Sequence, residues 1–498
     1  MKTLADIRKN AKISDLWYFG ILGAILVTSL GFASYSQCNY RELLVGAVVI
    51  VGLLGLLGIK MWTSVSIHRF AVIFILVIGT LSLVIQPILN VPDETTHLAR
   101  AEMVSRGGLV VDKSVTEYDI IHSVQDLQQN AKKTYFASSL KGEGIDYTMT
   151  KTGHVAASNA TIMYIPQAAG IIIAKVLQLD AIWMLWLARF MNLVMYAFGI
   201  GLALKIAPKA KMALFFVATL PMCMQQAGSC SPDAFVNLVG VLLVAYFIRL
   251  YCEEEGNITW KKLLLFMGLA AFVAISKITN IFMAGLVFLI PKNKFKNEKQ
   301  SFLIKMALVL GVIFCGAAYY LYTTTFPSGQ EHMAYLEGSN VSSGGQINYI
   351  LTNFVEWVRH FGTSLIYNSE SYMMSLSTFG WLEYRNGIIP IVSMILFGRL
   401  CSRDQGINTK RIQKSLIFLM MLAIYAGTCF AMYIAWTPVG SSGIAGIQGR
   451  YFIPMIALST LLFVPTNETE ERKATPGDWI AILSISGIML IDTLAKYY

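Results

Sequence analysis

The sequence predicts an all-α polytopic membrane protein with about 13 transmembrane helices and two large extracytoplasmic loops that contain juxtamembrane helices. Hydrophobic residues make up 55% of the 498 residues and charged residues only 14%, whereas about a quarter of an average soluble chain is charged. Many apolar runs approach the roughly 20 residues that cross a bilayer. Lys and Arg gather in short clusters between these runs, which is typical of cytoplasmic loops.

The net charge and the cysteine spacing argue against a nucleic-acid-binding protein and against a disulfide-rich or zinc-binding protein. The formal net charge is +10, but no basic stripe with interleaved aromatic residues is present, so nucleic-acid binding is not expected. The seven cysteines are scattered and form no C-x-x-C pair, which indicates neither a disulfide framework nor a zinc site. The basic N-terminus leads into a long apolar run and further spans, so we expect a retained first helix instead of a cleaved signal peptide.

The chain is expected to form a single integral membrane domain, 1–498, in the cell membrane. Its first three spans lie within residues 1–90 and are predicted at about 16–34, 43–62 and 70–89. Basic residues precede the first span, so the N-terminus is expected in the cytoplasm. The chain then emerges on the external face directly before Asp93.

Residues 91–182 are predicted to form the first large external loop with interfacial helices. Its polar part is too long for a turn, and loops of this length are usually functional. Asp93 is expected at or near the N-cap of a helix that runs to Arg106. The apolar run after Tyr164 is predicted as an interfacial or re-entrant helix, because a full span there would put the basic cluster at 205–211 outside.

The remaining spans follow the same length and charge rules. The central spans, within 183–322, are predicted at about 183–204, 212–227, 234–251, 261–292 and 302–322. Both ends of 261–292 are basic, so this segment is expected to go out and come back, with Lys277 at the bend. A second large external loop, 323–386, carries Glu383. The C-terminal spans lie within 387–498 and leave the C-terminus outside.

Five polar features gather on the predicted external face: Asp93 with Glu94, Asp233, Lys277, Glu383, and Gln448 with Arg450. Charges inside or beside the hydrocarbon are costly, so such residues are candidates for function. A site built from them would suit a reaction at the outer membrane surface with one partner held in lipid.

Each candidate has a plainer interpretation. Asp93 can simply cap the following helix, and Asp233 can belong to a turn and cap. His97 follows Asp93 by four residues on one helical face, which allows a metal ligand or a supporting histidine. Lys277 can be an internally paired or snorkelling lysine. Arg450 can be an interface anchor or a bidentate phosphate ligand.

Several short motifs occur in an order that resembles a known family. They are Val91-Pro92-Asp93-Glu94 with His97 and Arg100, Tyr164-Ile165-Pro166-Gln167-Ala168, Leu187-Ala188-Arg189, Ser231-Pro232-Asp233-Ala234, Ser276-Lys277, Gly380-Trp381-Leu382 and Gln448-Gly449-Arg450-Tyr451. Together they resemble a domain-of-unknown-function family of bacterial multispan membrane proteins placed among GT-C-type glycosyltransferases. The resemblance implies a GT-C-like bundle.

This resemblance implies a sugar donor carried on polyprenyl phosphate and a catalytic acidic residue near the membrane. Asp93 matches that catalytic position, with Glu94 able to replace or assist it. Lys277 and Arg450 are then the candidates for donor phosphate binding. The other candidates for substrate binding are His97, Arg100, Tyr164, Asp233, Glu383 and Gln448. No residue is assigned to a metal, although a divalent cation such as Mg or Mn is compatible with GT-C chemistry.

The chain departs from the family pattern in two places. Two extra spans precede the acidic loop, where a GT-C core needs only one. The family position of Glu383 is more often Asp.

The sequence therefore favours a GT-C-type transferase that moves a sugar from a lipid phosphate to an extracytoplasmic glycan, a wall polysaccharide or teichoic acid. The first alternative is a transporter or flippase of lipid-linked sugars, but transporters usually show repeated halves and no repeat is visible here. The second is a non-catalytic scaffold of envelope assembly, which would tolerate loss of both Asp93 and Lys277.

Overall fold

The computed structural model describes residues 2–34, 40–112, 115, 117–324, 340–380, 387–467, 470 and 472–498. This part of the chain is mostly helical. Eight of its helices are long and apolar enough to cross a membrane: Ile13–Phe32, Leu43–Trp62, Ile67–Ile85, Ala181–Ile206, Asp233–Tyr251, Ser301–Thr323, Arg411–Ala435 and Pro476–Tyr497. The protein is thus a polytopic membrane protein, and the about 13 crossings expected from span length and charge are not confirmed.

The first part of the chain forms six helices and a small sheet. The helices are α1 Lys2–Asn10, α2 Leu16–Ser34, α3 Tyr40–Trp62, α4 Ile67–Ile85, α5 Glu94–Ser105 and α6 His122–Gln129. Strands β1 (Tyr118–Ile121) and β2 (Met149–Thr152) pair antiparallel, with Tyr118 opposite Thr152. The all-α prediction missed this hairpin, because such a pair is marginal alone and here depends on packing against α5 and α6.

The central part contains α7 Ile165–Val176, α8 Ala181–Ile206, α9 Lys211–Ala218, α10 Pro221–Ala227, α11 Asp233–Tyr251, α12 Trp260–Ser276, α13 Leu286–Leu289 and α14 Ser301–Thr324. The span predicted at 212–227 is built from two short helices and not one, since α9 ends before Pro221 and α10 starts with it. Proline has no backbone N–H and disfavours the helical conformation in the residue before it.

Lys277 separates two segments that pack against each other. It has an extended backbone, with φ −156° and ψ 109°, directly after α12. A 3-10 segment, Ile278–Gly285, follows and contacts α12. This arrangement agrees with an out-and-back segment, although the second arm, Ile278–Leu289, is shorter than a full span.

The last part contains α15 Ser343–Thr352, α16 Phe354–Ser375, α17 Ile388–Arg403, α18 Arg411–Ala435, α19 Ile453–Phe463 and α20 Pro476–Tyr497. α16 belongs to the predicted second loop, yet it packs beside the candidate span α18. Phe361 contacts the rings of Phe430 and Tyr433, and the Tyr425 hydroxyl donates to the Leu365 carbonyl at 2.7 Å. This helix is therefore part of the bundle wall.

The start of α9, the end of α17 and the start of α20 meet at one end of the bundle. The Asp404 carboxylate accepts from the backbone N–H groups of Met212 and Ala213 at 3.3 and 2.7 Å. Arg399 forms an ion pair with Asp478 at 2.5 Å. Acidic side chains are favourable at helix N-termini, which explains why carboxylates lie among the basic residues of this end.

Candidate functional site

Asp93 occupies the N-cap position of α5, as predicted, but its side chain does not cap the helix. Its backbone is left-handed, with φ 63° and ψ 9°, which costs a residue other than glycine on the order of 1 kcal/mol. The Glu94 carboxylate, and not that of Asp93, turns back to accept from the Val91 N–H at 3.3 Å. The cap-only interpretation of Asp93 is therefore wrong, and its carboxylate is directed elsewhere.

Arg450 holds the Asp93 carboxylate and a second one. Its guanidinium donates to Asp93 Oδ2, pairs with Asp233 Oδ2 at 3.2 Å and donates to the Pro92 carbonyl at 3.2 Å. The Arg450 side chain is only 3% exposed. Two carboxylates far apart in the sequence thus share one buried cation.

Close packing places Arg450 at this position. The 3-10 turn Gly449–Phe452 carries it, and a Cβ on Gly449 would come within 1.8 Å of Ser375 Oγ and 2.4 Å of the Tyr372 carbonyl. Only glycine allows this approach of the turn to the end of α16.

Lys277 completes the group. Its Nζ lies 3.2 Å from the centre of the Tyr451 ring, and Arg450 Cζ lies 5.5 Å from the same centre. Lys277 forms no ion pair with a carboxylate in the described part of the chain, although its charge interacts with those of Asp233 and Asp93. We call Asp93, Asp233, Lys277, Arg450 and Tyr451 the Arg450 cluster.

The members of the Arg450 cluster differ in their free hydrogen-bonding capacity. The Asp93 side chain is 55% exposed and that of Asp233 17%. Asp93 Oδ1 accepts no hydrogen bond from any described residue, so it is available to a ligand. Arg450 Nε is buried and has no partner among the described residues, and the other two nitrogens already donate to Asp93, Asp233 and Pro92. No described residue accepts a hydrogen bond from the Lys277 ammonium, which has three donors.

Glu94 has a different environment from Asp93. It is fully buried, and Arg189 binds it through Nε at 2.8 Å and Nη2 at 2.7 Å. The backbone N–H of Cys230 adds a bond at 3.0 Å. Arg189 also donates to the carbonyls of the α4 end. This pair joins α4, α5, α8 and the start of α11, and leaves Glu94 no free oxygen for a substrate.

His97 interacts electrostatically with Asp93, Asp233 and Arg450 of the Arg450 cluster and belongs to a chain of hydrogen bonds. Its Nδ1 is 2.9 Å from the Tyr164 hydroxyl, which accepts from Asn159 Nδ2 at 2.9 Å. Burial lowers the pKa of His97 to about 4, against the opposing effect of Asp93. Burial also raises the pKa of Tyr164. A neutral imidazole results, and the Tyr164 proton is available for its Nδ1.

The neutral state of His97 makes folding stability depend on pH. Its pKa is about 4 when folded and about 6.5 when unfolded, so the unfolded state binds more protons between these values. The contribution of neutral His97 to the free energy of unfolding is therefore fully present above pH 6.5. It falls by about 3 kcal/mol as the pH approaches 4. We expect His97→Gln to remove most of this loss, measured by unfolding in detergent at pH 7 and pH 4.5. His122→Gln, an exposed histidine of the same loop, should keep it.

Three other predicted residues lie outside these contacts. Arg100 is buried and ties α5 to the following loop through the Gly108 carbonyl at 2.9 Å and Thr161 Oγ1 at 2.8 Å. Gln448 precedes the Gly449 turn, and no described residue hydrogen-bonds its side chain. Glu383 lies outside the described residues.

The described residues contain no group of three or more His, Cys, Asp or Glu side chains that could hold a metal ion. Asp93 and Asp233, the two carboxylates of the Arg450 cluster, both pair with Arg450.

Comparison with known families shows what the chain is similar to. The model of a family described as a predicted membrane protein, DUF2142, matches residues 74–459. The chain belongs to this family. The comparisons with curated proteins and with solved structures returned no match. The region shared with DUF2142 contains every residue of the Arg450 cluster as well as Glu94 and Arg189.

The structure adds Arg189 and Tyr451 to the candidate site, and the sequence predicted no role for either of them. Both lie in the motifs quoted above, but those motifs alone do not indicate what the two side chains contact. An arginine inside an apolar run is the stronger signal, because an intramembrane charge needs a partner. Its partner Glu94 was interpreted with Asp93 instead.

Proposed function

We propose that this protein is a GT-C-type glycosyltransferase that moves a sugar from a polyprenyl-phosphate carrier to an extracytoplasmic glycan, such as a wall polysaccharide or teichoic acid. The observation that carries the proposal is the Asp93 carboxylate. One oxygen is held by buried Arg450, the other has no partner among the described residues, and the side chain is 55% exposed. A positioned carboxylate with a free oxygen suits the removal of a proton from an acceptor hydroxyl.

The proposed reaction forms one bond and breaks one. The acceptor hydroxyl gives its proton to Asp93 Oδ1, and its oxygen bonds to the anomeric carbon of the donor sugar. The bond between that carbon and the phosphate oxygen breaks, and its electron pair leaves with the polyprenyl phosphate. Lys277 stabilises the charge that develops on this phosphate.

The geometry favours different tasks for residues that the resemblance grouped together. Lys277 is a better phosphate ligand than Arg450, since Arg450 is already occupied by Asp93, Asp233 and Pro92. Arg450 instead orients the base. Glu94 supports the site through Arg189 and is not a second base, because all its oxygens accept bonds from the protein.

The proposed orientation puts the N-terminus in the cytoplasm and the Arg450 cluster and C-terminus outside. It is supported by the basic end described above, where Arg399 near the end of α17 pairs with Asp478. Cytoplasmic loops carry the excess of Lys and Arg. The Arg450 cluster lies at the other end of α9–α10, where Asp233 begins α11.

The test is release of the carrier. The protein is reconstituted in nanodiscs with a radiolabelled polyprenyl-phosphate sugar and a soluble glycan acceptor, with and without Mg²⁺ or Mn²⁺. We expect free polyprenyl phosphate and labelled glycan to appear together. Transport in liposomes of a sugar that stays attached to its lipid, with no carrier released under any metal condition, would show that the protein is a flippase. If the protein neither releases the carrier nor transports the lipid-linked sugar, the result favours the non-catalytic scaffold.

A further inference from the structure

We propose that Gln225 is a positioning residue for Asp93, acting through Gly380 and Pro92. This inference rests on the proposed transfer reaction and adds to it a residue of α10 that has no charge. Gln225 is 1% exposed and belongs to the helix that interrupts the predicted span at 212–227.

The Gln225 side-chain amide binds both backbone polar groups of Gly380. Its Oε1 accepts from the Gly380 N–H at 2.6 Å, and its Nε2 donates to the Gly380 carbonyl at 3.2 Å. The same Nε2 lies 3.3 Å from Gln86 Oε1 at the end of α4. One turn earlier, the Met222 N–H donates to the Leu376 carbonyl at 3.2 Å. α10 therefore holds the chain after α16 along segment 376–380.

Gly380 in turn packs closely against Pro92. A Cβ on Gly380 would lie 2.9 Å from Pro92 Cγ and 3.3 Å from Gln225 Oε1, so Gly380 fills the space between them. Pro92 has a fixed φ and cannot yield by rotation about that bond. Its carbonyl accepts from Arg450 at 3.2 Å, on the same guanidinium that holds Asp93.

The contact between Gly380 and Pro92 helps to maintain the left-handed backbone conformation of Asp93. Unfavourable backbone conformations survive where the surroundings determine them from several sides. Arg450 holds the Asp93 carboxylate, the Glu94–Arg189 pair holds the next residue, and Gly380 fixes the preceding one. Without the Gln225 amide, the N–H and the carbonyl of Gly380 both lose this partner, and Pro92 loses the support of Gly380.

The neighbouring Gln226 provides a matched control. It is also fully buried on α10, but its Nε2 only reaches Met222 Sδ at 3.7 Å, and its Oε1 has no partner among the described residues. Gln225→Leu and Gln226→Leu therefore remove the same amide from the same helix, and only the first touches Gly380.

The experiment measures carrier release for wild type, Gln225→Leu, Gln226→Leu and Gly380→Ala, with the thermal midpoint of each. We expect Gln225→Leu and Gly380→Ala to lower kcat by about 10- to 100-fold, since a displacement of about 1 Å has effects of this size. KM for the lipid donor should stay unchanged, and Gln226→Leu should keep wild-type kcat. Gly380→Ala decides the question if Gln225→Leu does not fold.

Wild-type kcat in both Gln225→Leu and Gly380→Ala, or an equal kcat loss in Gln226→Leu, would overturn the inference while the proposed function stands. The inference also fails if only KM changes. A wild-type protein that releases no carrier overturns the proposed function, and the inference with it.

Discussion

Asp93→Asn is expected to lower the rate of carrier release by roughly 10²–10⁴-fold, the usual contribution of a general base. An asparagine keeps the size of the side chain and an acceptor for Arg450, but its amide cannot take the proton of the acceptor hydroxyl. Binding of the lipid donor should change little, since the proposed phosphate contact is Lys277. Single-turnover carrier release and donor binding, measured on the same nanodiscs, separate these two effects.

Asp119→Asn is the matched control for this substitution. Asp119 lies in the same loop, its side chain is 58% exposed against 55% for Asp93, and it pairs with Lys151 at 2.7 Å. It should release carrier at the wild-type rate. If Asp93→Asn is as active as Asp119→Asn, the proton is removed by another group.

The second large effect concerns stability. We expect Arg189→Met to lower the free energy of unfolding by roughly 3–5 kcal/mol, because it leaves the Glu94 charge buried without a partner. The measurement is unfolding by sodium dodecyl sulfate in mixed micelles. The double variant Arg189→Met with Glu94→Gln should be more stable than Arg189→Met alone, since the buried charge is then absent.

Lys151→Met provides the control for burial. The Lys151–Asp119 ion pair has the same 2.7 Å separation as Arg189–Glu94, but both of its side chains are more than half exposed. Exposed pairs contribute about 0–1 kcal/mol. An Arg189→Met loss no greater than that of Lys151→Met would mean that Glu94 is neutral or solvated in the folded protein.

The adjacent pair Asp93-Glu94 shows where sequence reasoning stops. The sequence alone does not distinguish the chemistry of two adjacent carboxylates, and both were predicted to be catalytic. Successive residues of a helix point about 100° apart, and the left-handed turn at Asp93 adds to that divergence. One carboxylate therefore meets Arg450 and the exposed side, and the other meets Arg189 in the interior. Only the three-dimensional path of the chain separates them.

Long apolar helices were predicted well, because length and composition define them locally. The positions of α2, α3, α8, α11 and α14 agree with the predicted spans within a few residues. The break at Pro221 was visible in the sequence, but the surrounding apolar residues outweighed it. The packing of α16 beside α18 could not be predicted, because it depends on aromatic contacts between distant segments.

The convergence of Asp93, Asp233, Lys277 and Arg450 followed from counting spans and charges, which places features at one end of a bundle without giving distances. The pairing partners within that group were not predictable. Which carboxylate Arg450 contacts depends on close approaches such as that of Gly449 to α16, and a single sequence does not reveal them.

The ion pair between Asp93 and Arg450 also has a consequence for biosynthesis. The two residues are 357 positions apart, so a ribosome working at about 5–20 residues per second makes the arginine roughly 20–70 s after the carboxylate. During that interval the nascent chain already holds Asp93 but lacks the arginine that binds its carboxylate. If the proposed function is right, a chain truncated before Arg450 is expected to be inactive.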